Sequence, residues 1–156
     1  MSGTEPAMND AKMALGRKIL AIKKQKGLTW PEIARRLGHS TVFACAGCLG
    51  QMSFTAETAE KAAALFGLGT EETALLMEIP YRGSLPAVPP SDPLIYRFYE
   101  LVMVYGTTWK TLIEEEFGDG IMSAIDFDMV LERQPDQKGD RVKITMSGKF
   151  LPYKRY

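Results

Sequence analysis

The segment from Leu94 to Tyr105, LIYRFYELVMVY, constrains the fold more than any other part of the 156-residue chain. Asp92-Pro93 ahead of it has the form of a helix start, a capping side chain followed by proline where a missing N–H does no harm. Within the segment only Arg97 and Glu100 are charged; every other residue is Leu, Ile, Val, Met, Phe or Tyr. A helix that is apolar nearly all round has to be buried. The region carrying it, from residue 92 to the end, holds about sixty-five residues, too few for a comfortable private core. Burial against other copies of the chain is therefore expected.

The two charges in that helix carry the functional expectation. Arg97 and Glu100 are three apart and share a face. As a surface ion pair they would contribute only about 0.2–0.5 kcal/mol, whereas burying either one unpaired costs several kcal/mol. So small a gain does not account for two charges on an interface helix, and a functional role is favoured. Ser123 follows the glycine-flanked run GDGIM, where strand pairing is expected to begin. By itself, an isolated serine there reads as structural.

The rest of the chain predicts an α+β protein in two parts. Residues 1–82 read as an all-helical bundle of five short helices divided by glycines. Asp10 is the expected cap of the first, with Leu15, Ile19 and Ile22 on one face and Gly27 at its end. Thr29-Trp30-Pro31-Glu32 is a capping box for the second, which presents Ile33, Ala34 and Leu37 and closes at Gly38. Ser40 or Thr41 opens a third helix reaching Leu49-Gly50. Thr55 opens a fourth, with Ala59, Ala63 and Phe66 inward, and Thr70 a fifth that Pro80 stops. Residues 83–91 include GSLPAVPP, an extended Pro-rich linker. In 92–156 the apolar helix is expected to end at Gly106, with Thr107 or Thr108 capping another that reaches Phe117-Gly118. Beyond it the period shifts from helical to alternating. Ile125, Phe127 and Met129, then Val142, Ile144 and Met146, describe an antiparallel hairpin around the turn PDQKGD, an acidic face meeting a basic one.

Charge and cysteine usage narrow the function further. Nineteen Lys and Arg balance nineteen Asp and Glu, which argues against a polyanion or an anionic membrane as the main partner. The balance hides a surplus of seven positive charges between Lys12 and Arg36, where Glu32 is the one acid. The second and third helices have helix-turn-helix spacing, and LTWPEIARRLGHS resembles the lambda-repressor-like family, so a DNA-binding regulator is the alternative. Against it, TVFACAGCL offers no charge and no Asn, Gln or Arg to read a base edge. Cys45 and Cys48 form a lone C-x-x-C. Zinc would need two more ligands with only His39 and carboxylates to supply them, and no thioredoxin-like context exists, so small buried thiols are expected and no metal site. MSGTEPAMND lacks the basic and apolar regions of a signal peptide, and Leu37–Ala56, the longest run without a charged residue, is too polar to span a bilayer. A soluble, cytoplasmic protein is the expectation.

The run SDPLIYRFYELVMVYGTTWKTLIEEEFGDGIMSAIDF, continued by GDRVKITMSGKFLPYKRY, resembles the cyanase (cyanate hydratase, cyanate lyase) family, and IPYRG before the linker extends the likeness. The resemblance implies a helical domain that looks like a DNA-binding fold without binding DNA. It places the family's catalytic arginine, glutamate and serine on Arg97, Glu100 and Ser123. One departure is Ser84, where bacterial members can carry cysteine; it casts doubt on any required thiol there. The implied reaction joins cyanate to bicarbonate, a co-substrate, and yields ammonia and carbon dioxide through carbamate with no metal or organic cofactor. The implied assembly is a decamer of interlocked dimers with sites at subunit contacts. One guanidinium does not balance two anions, so Arg97 from neighbouring subunits is expected to converge on each site.

Overall fold

A computed structural model of the chain describes residues 5–80 and 90–155. Of the linker expected at 83–91, only Pro90 and Ser91 fall among the described residues, and Ser84 falls outside them. The chain divides into two compact units, one of residues 1–84 with 130–143, the other of residues 85–129 with 144–156.

The first unit holds five helices, α1 (Glu5–Lys26), α2 (Trp30–Leu37), α3 (Thr41–Cys48), α4 (Ala56–Phe66) and α5 (Thr70–Met77), besides the tip of the hairpin described below. Asp10 lies inside α1 and does not cap it, because Pro6 is tolerated in a first turn and the residues after it are good helix formers. The caps of α2, α3 and α4 are Thr29, Ser40 and Thr55, each accepting a hydrogen bond from a backbone N–H three residues on. At α5 the cap position is Gly69 and not Thr70; the Gly69 N–H donates to the Glu72 carboxylate at 2.9 Å. Gly38, at φ 78°, holds the left-handed turn that sends the chain from α2 into α3. Leu15, Ile19, Ile33, Ala34, Leu37, Ala44, Cys48, Phe54, Ala59, Ala62, Phe66 and Leu76 form one apolar core. In α4 the buried alanines are thus Ala59 and Ala62, with Ala63 only half-buried.

Much of the basic block is committed to this fold. Lys12 is buried and its Nζ donates to the Leu75 carbonyl near the end of α5. Lys18 pairs with Glu72, Lys26 Nζ donates to the Leu65 carbonyl at 2.7 Å, and Lys23 sits 5.4 Å above the Trp30 ring.

In the second unit α6 runs unbroken over Pro93–Phe117, a length of 25 residues. Gly106 does not end it. Glycine inside a helix costs about 1 kcal/mol relative to alanine, and the turn beyond is supported by Thr111 Oγ1 donating to the Thr107 carbonyl and by the Lys110–Glu114 pair. Asp92 caps the start, accepting from the N–H groups of Leu94 and Ile95 at 3.0 and 2.9 Å. No residue of α6 is buried within the chain. Strands β1 (Gly120–Gln134) and β2 (Arg141–Pro152) pair as a two-stranded antiparallel hairpin. Its turn is closed by an ion pair of the opposite sense to the expected one, Arg133 on β1 to Asp140 before β2 at 2.9 Å. The end of α6 is tied to the hairpin by the Phe117 and Phe150 rings, 5.2 Å apart, and by the Tyr153 N–H donating to the Asp119 carbonyl at 3.0 Å. Among the described residues no helix is long and apolar enough to cross a membrane.

Two predictions follow from the helical unit. A Cβ on Gly47 would lie 2.0 Å from Phe54 Cε1, so Gly47→Ala should lower unfolding stability by about 1–3 kcal/mol in chemical denaturation. The Glu32 carboxylate is held below its ordinary value of 4.5 by hydrogen bonds from the Thr29 backbone and hydroxyl, and Glu72 by bonds from Lys18 and the Gly69 N–H. Carboxylates shifted this way stabilise fully above 4.5 and lose that contribution as pH falls through the lower folded values. Acid titration of the Glu32→Gln and Glu72→Gln double variant should therefore show a shallower loss of stability below about pH 4.5 than the wild type.

Candidate active site

Spacing along α6 builds one face of the site. Residues 97, 100, 101, 104 and 105 follow the i, i+3, i+4, i+7, i+8 pattern of a single helix stripe. They line an open depression of about 320 Å³: Arg97, Glu100, Leu101, Val104 and Tyr105. Arg97 Nε lies 3.9 Å from Glu100 Oε2, with the two side chains 65% and 53% exposed. That distance is too long for a hydrogen bond. A pair so exposed contributes at most a few tenths of a kcal/mol, so stability does not explain it. Around the pair the helix presents bare apolar surface: Leu94 is 68% exposed and Val102 60%. Water, a partner and a small anion can all reach the guanidinium.

Sequence reasoning singled out Arg97 and Glu100 and passed over the three other residues of the depression. The signal was present in the helical period, which puts Tyr105 on the same stripe as Arg97. It was masked because Gly106 made Tyr105 look like a helix end.

Ser123 is positioned differently. It lies in β1, buried, and its Oγ accepts hydrogen bonds from the N–H groups of Ile125 and Asp126, both at 3.0 Å. Those two acceptances occupy the oxygen's lone pairs and leave the O–H as a donor. Close packing fixes the spot: a Cβ on Gly148 of β2 would lie 2.3 Å from the Ser123 carbonyl oxygen. The single chain brings Arg97 and Glu100 together, and Ser123 is not among the residues that line their depression.

The C-x-x-C motif does not form a reactive centre. Cys48 is buried and its thiol is pushed up to about 12 by that burial, with Cys45 adding to the effect. Burial also raises Cys45, against a smaller opposing pull from Lys23. His39 faces elsewhere, its Nε2 2.8 Å from Thr58 Oγ1. Among the described residues no group of three His, Cys, Asp or Glu side chains is placed to hold a metal ion. Since only a thiolate is nucleophilic, Cys48 should resist iodoacetamide at pH 8 in the folded protein and react fully in denaturant. Mass spectrometry of alkylated peptides reads this directly, and equal rates folded and unfolded would contradict it.

Known proteins share this architecture and these motifs. Residues 12–80 match the family model described as "Cyanate hydratase, N-terminal", and residues 87–155 match "Cyanate lyase C-terminal domain". The cyanate hydratase of Methylibium petroleiphilum is 58% identical over 146 residues, covering 94% of this chain and 99% of that protein. The cyanate hydratase of Cupriavidus necator is 59% identical over 138 residues, 88% of this chain and 94% of that one. Among solved structures, cyanase from T. urticae superposes with a TM-score of 0.76 at 37% identity, covering 88% of this chain and 96% of the other.

Proposed function

We propose a bicarbonate-dependent decomposition of cyanate for this chain, which belongs to the cyanate lyase family and is an enzyme of the cyanate hydratase kind. The observation that carries the mechanism is the placement of Arg97 and Glu100 in one depression on an otherwise apolar, exposed helix. A DNA-binding regulator is not favoured. Helix α3 buries Ala44, Gly47 and Cys48 and carries no charge and no Asn, Gln or Arg to read a base edge.

Bicarbonate oxygen attacks the cyanate carbon, and the adduct takes up one proton and breaks its bond to the carboxyl carbon, releasing carbon dioxide and carbamate. Carbamate takes a second proton and falls apart to ammonia and another carbon dioxide. Two anions have to be held together for the first step. At about 4 Å and an effective dielectric near 20 their repulsion is roughly 4 kcal/mol. Arg97 opposes it: its guanidinium is always charged, planar and able to fork two hydrogen bonds onto an oxyanion. Ser123 supplies a further donor, fixed by the two backbone N–H groups that its oxygen accepts. The same bonds argue against Ser123 as a nucleophile, since the lone pairs that would attack are engaged. Glu100 makes no hydrogen bond to Arg97 across 3.9 Å, which favours a proton-handling role over that of a clamp on the arginine. In that role Glu100 passes a proton to the adduct nitrogen as carbon dioxide leaves. Bicarbonate is itself the nucleophile, so the scheme needs no metal and no organic cofactor. Orientation supplies most of the rate, since well-placed reactants reach effective molarities of about 10⁵–10⁸ M.

Assembly completes the site in this proposal. The exposed apolar side chains of α6 are what a subunit contact would cover, and the assembly is a cytoplasmic decamer built from interlocked dimers. Arg97 residues from neighbouring subunits converge there with Ser123, and a lone chain is inactive. A dimer unable to assemble further that kept full turnover would exclude the convergence.

Ammonia release from cyanate, assayed with and without added bicarbonate, tests the function; no bicarbonate-dependent ammonia would defeat it. Arg97→Lys should lower kcat by about 10²–10³, the loss expected for removing a preorganised donor. Glu100→Gln should lose at least about 10²-fold as a general acid, and near-normal turnover would exclude the proton role.

A further inference from the structure

We propose that Tyr105 is a substrate-binding residue of this site, a second side-chain hydrogen-bond donor to the anion that Arg97 holds; the assignment rests on the function just proposed. The argument is one of elimination within the depression. Leu101 and Val104 have no polar atoms, Glu100 accepts when ionised, and backbone N–H groups inside a helix are committed to its ladder. Arg97 and Tyr105 are the lining side chains that always present a donor to an anion seated there. A phenolic O–H donates without bringing a carboxylate's negative charge beside two anions.

Both donors line the one depression on α6. Helical side chains lean toward the N-terminus, so the Tyr105 ring reaches back over the turn of Leu101. Trp109, one turn further on, stacks on that ring with centroids 6.3 Å apart and planes at 26°, which restricts its rotamers. The floor between the donors is Leu101 and Val104, apolar and unable to compete for the ligand. A weakly hydrated linear ion such as cyanate suits that setting: it accepts hydrogen bonds at its two ends and meets an apolar wall along its middle.

Tyr105→Phe keeps the ring and its stacking and removes only the hydroxyl. Steady-state kinetics of ammonia release should show kcat/KM for cyanate lowered by about ten-fold to a hundred-fold, the range for a hydrogen bond to a charged group. Circular dichroism and size-exclusion elution should match the wild type, and Tyr105→Ala should lose little more than Tyr105→Phe. Full recovery of wild-type kinetics in the Phe variant would overturn the assignment and leave Tyr105 a packing residue. No bicarbonate-dependent ammonia from the wild type would overturn the function itself and this assignment with it.

Discussion

Everything about the second unit turns on the exposure of α6. Its own chain buries none of its residues, although most of the stretch from Leu94 to Tyr105 is aliphatic or aromatic. Fully burying a large apolar side chain from water is worth about 1.5–3 kcal/mol, and those of α6 still have roughly half of that to gain. Such a surface sets a strong drive toward association, and the charges on it share its fate. A unit charge acting at 4 Å is worth about 1 kcal/mol in bulk water and about 4 at an effective dielectric of 20. Covering the helix would therefore both stabilise an assembly and strengthen the grip of Arg97 on an anion. One surface supplies the two effects.

The hairpin answers a different physical demand, that of fixing a small polar group. Serine is flexible in most settings because its hydroxyl can rotate to suit. Here two backbone N–H groups hold the Ser123 oxygen from one side, and Gly148 lets β2 approach so closely that no side chain would fit between the strands. Gly120 does the same at the start of β1, where a Cβ would fall 2.4 Å from the Leu151 carbonyl oxygen. Gly148 is thus tied to Ser123 by packing, and Gly120 to Leu151 and Phe150. That link belongs to tertiary structure, and no spacing rule exposes it.

This pattern marks what was legible in the residues. Capping signals at Thr29, Ser40 and Thr55, glycine stops and the alternation after residue 120 all express local chemistry, and the elements they predict are present. Asp10 and Gly106 misled because propensity is a weak local preference that continuous helix on both sides overrides. Arg97 and Glu100 stood out because charge on an apolar helix violates a simple rule. Tyr105 violates none, since tyrosine is at home on apolar surfaces. Only its place beside Arg97 in the depression distinguishes it. The resemblance to a known family, carried by long C-terminal motifs, reached Ser123, which its local setting left looking structural.

The helical unit shows how misleading a charge count can be when the partners are unknown. In the sequence, eight basic residues between Lys12 and Arg36 look like a footprint for phosphates. In the structure Lys12 and Lys26 donate to carbonyls on or beside other helices, Lys18 pairs with Glu72, and Lys23 lies over Trp30. Lys12 makes the clearest case. Burial lowers its pKa against the opposing pull of Glu78, a penalty accepted only where the ammonium has somewhere to donate. Carbonyls at a helix C-terminus are such a place, because they carry the negative end of the helix dipole and lack partners of their own. A lysine committed to that end is unavailable to a phosphate. Lys12, Lys18 and Lys26 thus bind the first helix to the fourth and fifth. A helix-turn-helix whose third helix carries no charge and no Asn, Gln or Arg retains the shape of a DNA-binding fold without the chemistry that reads base edges.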